Sequence, residues 1–129
     1  MSTVRGVNPG RLNRKLSIYR YINTQSGMNS RQSKLVKVRT VWAEMKPTRG
    51  TEFLEYYKDA NALQYKVTMR YIPDLTEKNV LVHYGRQYEI NSVINVEEAG
   101  IVLEVYCTEA KDRSIPYATE EEIAAAGDQ

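Results

Sequence analysis

Few residues of this chain have side chains that could do chemistry, and their spacing does not bring them together. His83 is the only histidine, and no second ligand type is spaced around it in a metal-binding pattern. The carboxylates of Glu97 and Glu98 are adjacent, but they flank a turn at Gly100 and are expected to face solvent. Cys107, the only cysteine, is in step with neighbouring apolar residues, which indicates a buried thiol. We therefore predict no enzymatic activity, no cofactor and no metal ion.

The composition predicts one globular domain without a membrane span. A length of 129 residues suits a single hydrophobic core, and 42% apolar with 26% charged residues is typical of soluble proteins. No apolar run exceeds five residues, which is too short for a transmembrane helix. No apolar segment follows Arg5, so we expect no secretory signal. A single cysteine excludes an internal disulfide and is typical of a reducing compartment.

The charges are distributed unevenly along the chain. Residues 1–50 hold eleven Lys or Arg and one acid, residues 51–96 five bases and six acids, and residues 97–129 two bases and nine acids. The net charge of +2 hides this polarity. A basic front and an acidic back favour contact with an anionic partner or head-to-tail packing of copies. Pairing of the two ends within one fold is the alternative.

Alternating apolar and polar residues predict an all-β protein. Strands are expected over residues 15–23, 35–45, 63–72 and 101–108, with two more in a hairpin over 80–96 that turns at Gly85-Arg86. On the second strand we expect Val36, Val38 and Trp42 on one face, and Lys37 and Arg39 on the other. Six strands of this length favour a small antiparallel barrel or sandwich.

The segments between and beyond these strands complete the predicted organisation. A mobile loop is expected at 24–33, and Thr51 caps one short helix over 51–60. The domain boundaries are an N-terminal arm at 1–12, a barrel at 13–109 and an acidic flexible tail at 110–129. In that tail, Thr119 and Glu122 have capping-box spacing ahead of a short apolar run. We expect the tail to be disordered in the free subunit and to fold on a partner, or to be a frayed end without a role.

Basic and aromatic residues in the first two strands also fit a single-strand nucleic-acid-binding barrel. Small barrels bind single strands by combining lysines and arginines, which contact phosphates, with rings that stack on bases. Tyr19, Tyr21 and Trp42 lie among nine Lys and Arg residues between positions 5 and 39. Exposed bases also protect strand edges from pairing with other proteins, so the pattern is not specific to nucleic acid.

Five short motifs occur in an order that resembles the head-tail joining, or head-closure, proteins of tailed bacteriophages. The motifs run from Gly10 to Ile18, Val41 to Glu44, Gly50 to Glu55, Val67 to Tyr71 and Gly85 to Ile90. Together they span most of the chain, from residue 10 to 109. The acidic tail lies beyond them.

This resemblance implies a structural protein of the virion, present in the host cytoplasm during assembly. Such proteins form a ring of twelve copies under the portal or its adaptor, close the DNA-filled head and provide the surface to which the tail attaches. It implies portal, adaptor, tail-completion or tail-tube proteins as partners and non-specific contact with packaged DNA, without a membrane. A tail-completion protein is the alternative within the virion.

Three sets of residues are candidates for the contacts that this role requires. By the resemblance, the loop at 46–62 reaches the channel; its candidate gating residues are Lys46, Arg49, Glu52, Phe53, Glu55 and Lys58. The candidate basic face for subunit contact consists of Arg11, Arg14, Lys15, Arg20, Lys37 and Arg39. The candidate docking tail consists of Thr119, Glu120, Glu121, Glu122 and Ile123. Mixed charge in the loop favours gating by contact between subunits over a phosphate clamp.

Overall fold

Six antiparallel strands close into a barrel, which confirms the predicted all-β class. The computed structural model describes residues 9–26, 30–48, 64–110 and 114–126. Within these residues the strands are β1 (Arg14–Ser26), β2 (Ser30–Pro47), β3 (Gln64–Arg70), β4 (Val80–His83), β5 (Arg86–Asn95) and β6 (Val102–Glu109). The helix α1 (Glu120–Ala126) lies in the C-terminal segment. The helix expected at 51–60 and most of the N-terminal arm fall outside the described residues.

The strands follow the order β1-β2-β3-β6-β5-β4 around the barrel. The longest pairing joins β1 to β2, from Arg14 opposite Ala43 to Ser26 opposite Ser30. The barrel closes between β1 and β4 through three residue pairs, centred on Ile18 opposite Leu81.

Apolar side chains from all six strands fill the barrel, as the alternation predicts. Leu16, Ala43, Val67, Leu81, Ile90 and Val105 are members of one buried cluster. Leu103 and Cys107 lie in the same cluster, which confirms the predicted burial of the Cys107 thiol in step with its apolar neighbours. Burial raises the pKa of the Cys107 thiol to about 12. At neutral pH this thiol is therefore protonated and inert.

The β1–β2 hairpin is longer than predicted. Residues 24–33 were expected to form a mobile loop, but β1 continues to Ser26 and β2 begins at Ser30. Polar side chains in this stretch bond across the two strands. The Thr24 hydroxyl donates to the main-chain oxygen of Gln32 at 3.0 Å, and the Ser33 hydroxyl lies 3.3 Å from the side-chain oxygen of Asn23. A polar composition therefore supports strand pairing here.

A β-bulge at Val38 overturns the predicted faces of β2. Ile18 is opposite Arg39 and Tyr19 is opposite Lys37, so Val38 has no partner on β1. An extra residue reverses the alternation of side chains along the bulged strand. As a result, Trp42 and Lys37 lie on the same side of the sheet, whereas the sequence pattern separates them. The side chain of Trp42 is 53% exposed, while Ala43 beside it is fully buried.

The β4–β5 turn is displaced by one residue from its predicted position. His83 is opposite Arg86, so the two turn residues are Tyr84 and Gly85, and the prediction of Gly85-Arg86 is wrong. Both turn residues have positive φ, 51° at Tyr84 and 78° at Gly85. Two consecutive residues of this kind make the type I′ turn that matches the twist of a hairpin. The predicted looser turn near Gly100, where φ is 67°, is confirmed.

Candidate interaction surfaces

The groups considered for catalysis lie apart in the structure. The side chain of His83 is half-buried beside the ring of Tyr84, with ring centroids 4.4 Å apart. Burial lowers the pKa of His83, and the nearby positive charges of Arg14 and Arg86 lower it further, so the imidazole is neutral at pH 7. In the described parts of the chain, no three His, Cys, Asp or Glu side chains are placed to hold a metal ion. No helix in those parts is long and apolar enough to cross a membrane.

The six predicted basic residues do not form one face. Lys15 is opposite Trp42 and Lys37 is opposite Tyr19, so these lysines lie with Trp42 on the outer side of the β1–β2 sheet. By the same alternation, Arg14, Arg20 and Arg39 lie on the other side of that sheet. Arg11 is exposed in the short 3-10 turn before β1.

The outer group, which we call the Trp42 face, consists of Lys15, Lys37 and Trp42. Both lysines are exposed, and the indole presents a large apolar surface to solvent. Exposed tryptophan beside cations is typical of a contact surface, because aromatic residues are enriched where proteins meet. The sequence pattern did not reveal this grouping, since the bulge at Val38 creates it.

Of the six candidate gating residues in the predicted loop at 46–62, only Lys46 lies within the described residues. Lys46 lies at the exposed end of β2 and pairs with Glu44 at 3.5 Å. Arg49, Glu52, Phe53, Glu55 and Lys58 lie outside the described residues. The strand ends that flank this segment are joined, because the amide of Thr48 donates to the main-chain oxygen of Gln64 at 2.9 Å. The Thr48 hydroxyl also lies 3.0 Å from the side-chain oxygen of Gln64, and both residues are buried.

The C-terminal segment, residues 114–126, lies on the barrel. Its first contact with the barrel is made at Gln87 of β5. The amide of Ala110 donates to the main-chain oxygen of Gln87 at 2.9 Å. Further along, the Gln87 side chain donates to the carbonyl of Ile115 and accepts from its N–H, both at 2.8 Å. Gln87 is 5% exposed. One buried side chain therefore holds the segment through both main-chain groups of Ile115.

The segment next pairs with β2. Leu35 donates its N–H to the carbonyl of Pro116, and its carbonyl accepts from the N–H of Ala118, both at 2.9 Å. These bonds form a parallel bridge between Leu35 and Tyr117. The ring of Tyr117 contacts that of Tyr19, with centroids 5.2 Å apart. Leu35 is 1% exposed, although it lies on the outer side of the sheet.

The helix α1 has the predicted capping box. The amide of Thr119 donates to the Glu122 carboxylate at 2.9 Å, and the amide of Glu122 donates to the Thr119 hydroxyl at 3.2 Å. The Glu122 carboxylate also forms an ion pair with Lys34. Its hydrogen bond with Lys34, and then that with the Thr119 amide, lower the pKa of Glu122. The side chains of Glu120, Glu121 and Ile123 stay exposed.

These contacts differ from the expectation of a tail that is disordered in the free subunit. Residues 114–126 are ordered on their own barrel because Gln87 and Leu35 satisfy their main-chain groups. The pair of Lys34 and Glu122 also joins the basic front of the chain to its acidic back within one fold. No sequence motif marks Lys34, Leu35 or Gln87 as contact residues, so the sequence does not predict their roles.

Comparison with known proteins places the barrel in a family. A family model described as phage head completion protein matches residues 7–110. The chain belongs to the phage head completion protein family. This confirms the resemblance found in the five motifs, and the match ends before the C-terminal segment. Membership indicates a structural role in completing the phage head, as a component of the virion.

Two solved structures share the fold of this phage head completion protein. One is a chain in the virion of a native gene transfer agent particle, with a TM-score of 0.56 and 16% identity over 75% of this chain and 93% of that one. The other is protein SF1141 of Shigella flexneri 2a, solved in solution, with a TM-score of 0.66 and 19% identity over 83% of this chain and 100% of that one. A search of curated proteins found no match to this chain.

Proposed function

We propose that this protein forms a connector ring under the portal or its adaptor, where it closes the DNA-filled head and provides the surface for tail attachment. The observation that carries the proposal is the family match over residues 7–110, which spans the entire barrel. The number of copies follows the portal, for which the family resemblance implies twelve. Tail-completion or tail-tube proteins would meet the opposite surface of the ring.

The exposed surfaces of the protein support a role in which copies bind one another. A ring needs two different side surfaces on each subunit, since copies meet head to tail. The Trp42 face offers two lysines and an exposed indole on one side of the sheet, while Glu120 and Glu121 offer an acidic surface on α1. Opposite charges on facing surfaces steer docking and fix its register.

The segment between β2 and β3 is the candidate for contact with DNA or with its own copies in the channel. Its two ends are held together at Thr48 and Gln64, so it leaves and re-enters the barrel at one place. A segment anchored in this way can project from the ring without changing the strand register.

Deleting the reading frame from the phage or prophage tests this function. We expect electron micrographs of the lysate to show tailless heads that have lost their DNA, beside complete free tails. Supplying the wild-type protein from a plasmid should restore infectious virions. Normal virions in the deletion strain would overturn the proposal, while heads that keep DNA beside defective tails would assign the protein to tail completion.

The Trp42 face gives specific support to a second candidate, single-strand nucleic-acid binding. An exposed indole with Lys15 opposite it, and with Lys37 further along the same side of the sheet, can stack on a base while the lysines contact phosphates. Binding of a fluorescent oligonucleotide should then weaken steeply as the salt concentration rises, since counterions are released on binding. Binding that is absent, or that Trp42→Ala leaves unchanged, would rule this candidate out.

A further inference from the structure

The surface that holds the C-terminal segment has the properties of a peptide-binding site. It consists of Tyr19, Lys34, Leu35 and Gln87, which we call the segment site. Gln87 and Leu35 recognise main-chain groups of the segment. Lys34 and Tyr19 recognise the Glu122 carboxylate and the Tyr117 ring. An extended peptide followed by an acidic helical turn therefore fits this site.

The polar groups of the segment site are paired with the C-terminal segment. Gln87 is buried, and both groups of its side-chain amide bond to Ile115. Both main-chain groups of Leu35 bond to the segment as well. The bound segment therefore supplies hydrogen-bond partners for the polar groups of Gln87 and Leu35 that it shields from water.

The barrel closes without the segment that fills the site. The six strands form a complete ring of pairings, and the family match ends at residue 110. The chain leaves the barrel where Ala110 bonds to Gln87 and returns at Ile115, which bonds to the side chain of the same Gln87. When extended, the chain from Ala110 to Ile115 covers about 17 Å, which sets the distance within which an adjacent subunit must present its own Gln87 for the segment to be exchanged.

We propose that, in the assembled ring, the segment site of each copy takes the C-terminal segment of its neighbour. This inference rests on the ring proposed above and names one of its contacts. Every bond made by the segment in its own subunit is available in a second copy, because the two sites are identical. Exchange of an identical element is therefore nearly neutral in free energy, and the close packing of copies in a ring favours it. Each copy then donates one segment and accepts one, which links the ring without a free end.

Zero-length cross-linking of the wild-type protein tests this exchange. A carbodiimide couples an amine to a carboxylate in direct contact, and the pair of Lys34 and Glu122 provides both. Heads from the deletion strain are incubated with equal amounts of ¹⁴N- and ¹⁵N-labelled protein, washed, cross-linked and digested. Mass spectrometry then shows whether each coupled peptide pair came from one copy or from two.

We expect about half of the Lys34–Glu122 pairs in assembled heads to combine the two isotopes, as random exchange requires. The free protein should give same-isotope pairs. Lys66 and Glu104, which form an ion pair 3.3 Å long between β3 and β6, are the internal control and should stay within one isotope throughout. Glu122→Gln is the matched control variant, because glutamine keeps the capping box but cannot couple.

Same-isotope Lys34–Glu122 pairs in heads that have taken up the protein would overturn the exchange and leave the connector ring standing. Loss of this cross-link on assembly would overturn it too, since the site would then be empty or filled by a different peptide. Heads that take up no protein would reject both the ring and the exchange.

Discussion

Lys34 and Glu122 lie 88 positions apart in the sequence and form an ion pair. The pair joins the edge of the β1–β2 hairpin to the first turn of α1, so it connects the most basic part of the chain to the most acidic part. The same carboxylate caps the helix through Thr119. One side chain therefore both starts α1 and attaches it to the barrel.

Acid should release α1 from the barrel. The hydrogen bond with Lys34, and then that with the Thr119 amide, lower the pKa of Glu122 below its usual 4.5. A carboxylate with a lowered pKa stabilises the folded state above its unfolded pKa, and this contribution disappears as the pH falls through the folded value. We expect the protection of the α1 amides, measured against their intrinsic exchange rates, to fall below about pH 4.5, and Glu122→Gln to lose this pH dependence. An unchanged profile in the variant would show that another group controls the release.

Replacing Gln87 with leucine should detach the C-terminal segment without opening the barrel. The change removes two hydrogen bonds of 2.8 Å and leaves the main-chain groups of Ile115 without their protein partner. We expect the free energy of local opening at the Ala118 amide to fall by about 1–3 kcal/mol, measured by hydrogen exchange. Exchange at Val105 in the core should change less. Gln32→Ala, at an exposed position, is the control and should leave Ala118 protected.

Adding a methyl group at Gly85 should lower stability through the backbone alone. A Cβ there would meet no atom within 4 Å, but φ is 78°. We expect Gly85→Ala to reduce the free energy of unfolding by about 1 kcal/mol in urea denaturation. Gly85→Asn should cost less, because asparagine tolerates positive φ. Equal stability of all three proteins would contradict the positive φ at this turn.

The thiol of Cys107 should react only when the barrel unfolds. It is fully buried, and its pKa of about 12 leaves almost no thiolate at pH 8. We expect no labelling by a thiol reagent in buffer, and labelling in urea that follows the loss of tyrosine and tryptophan fluorescence signals. Rapid labelling of the folded protein would mean that the β3–β6–β5 side of the barrel opens locally.

The Trp42 face should matter for assembly and little for folding. Trp42 is 53% exposed, so Trp42→Ala should change the free energy of unfolding by less than about 0.5 kcal/mol. We expect Trp42→Ala and Lys15→Glu each to reduce infectious titre in complementation of the deletion strain. Ile94→Ala, at an exposed apolar position on β5, is the matched control. Full complementation by both variants would exclude this face from the ring contacts.

Charge reversal at the remaining basic residues extends this test. If glutamate replacements of the Lys and Arg residues in 11–39 left assembly unchanged, these residues would have no part in the contact between subunits.

The sequence predicted the strands better than it predicted their faces. Alternation places Leu103, Val105 and Cys107 inside because the period of a strand is two. The bulge at Val38 depends on how β1 pairs with β2, which is a property of two strands together. For the same reason the pattern of β2 alone separated Lys37 from Trp42.

Short sequence motifs predicted the structure correctly where the contacts that stabilise it join neighbouring residues. The capping box of Thr119 and Glu122 needs four consecutive residues, and the structure confirms it. The turn at Tyr84-Gly85 was displaced because a tyrosine with positive φ is not expected from its intrinsic preference. The role of Gln87 had no local signal, since its partner Ile115 is 28 positions away.

The three-pair junction between β1 and β4 has a consequence for how the chain folds. Hairpins such as β1–β2 and β4–β5 need only neighbouring residues, so they can form early. Joining Ile18 to Leu81 requires the closure of a loop of more than sixty residues for a small gain in pairing. Closure of the barrel is therefore expected to be the late step, and a nascent chain with an open β1–β4 edge is the species most exposed to aggregation.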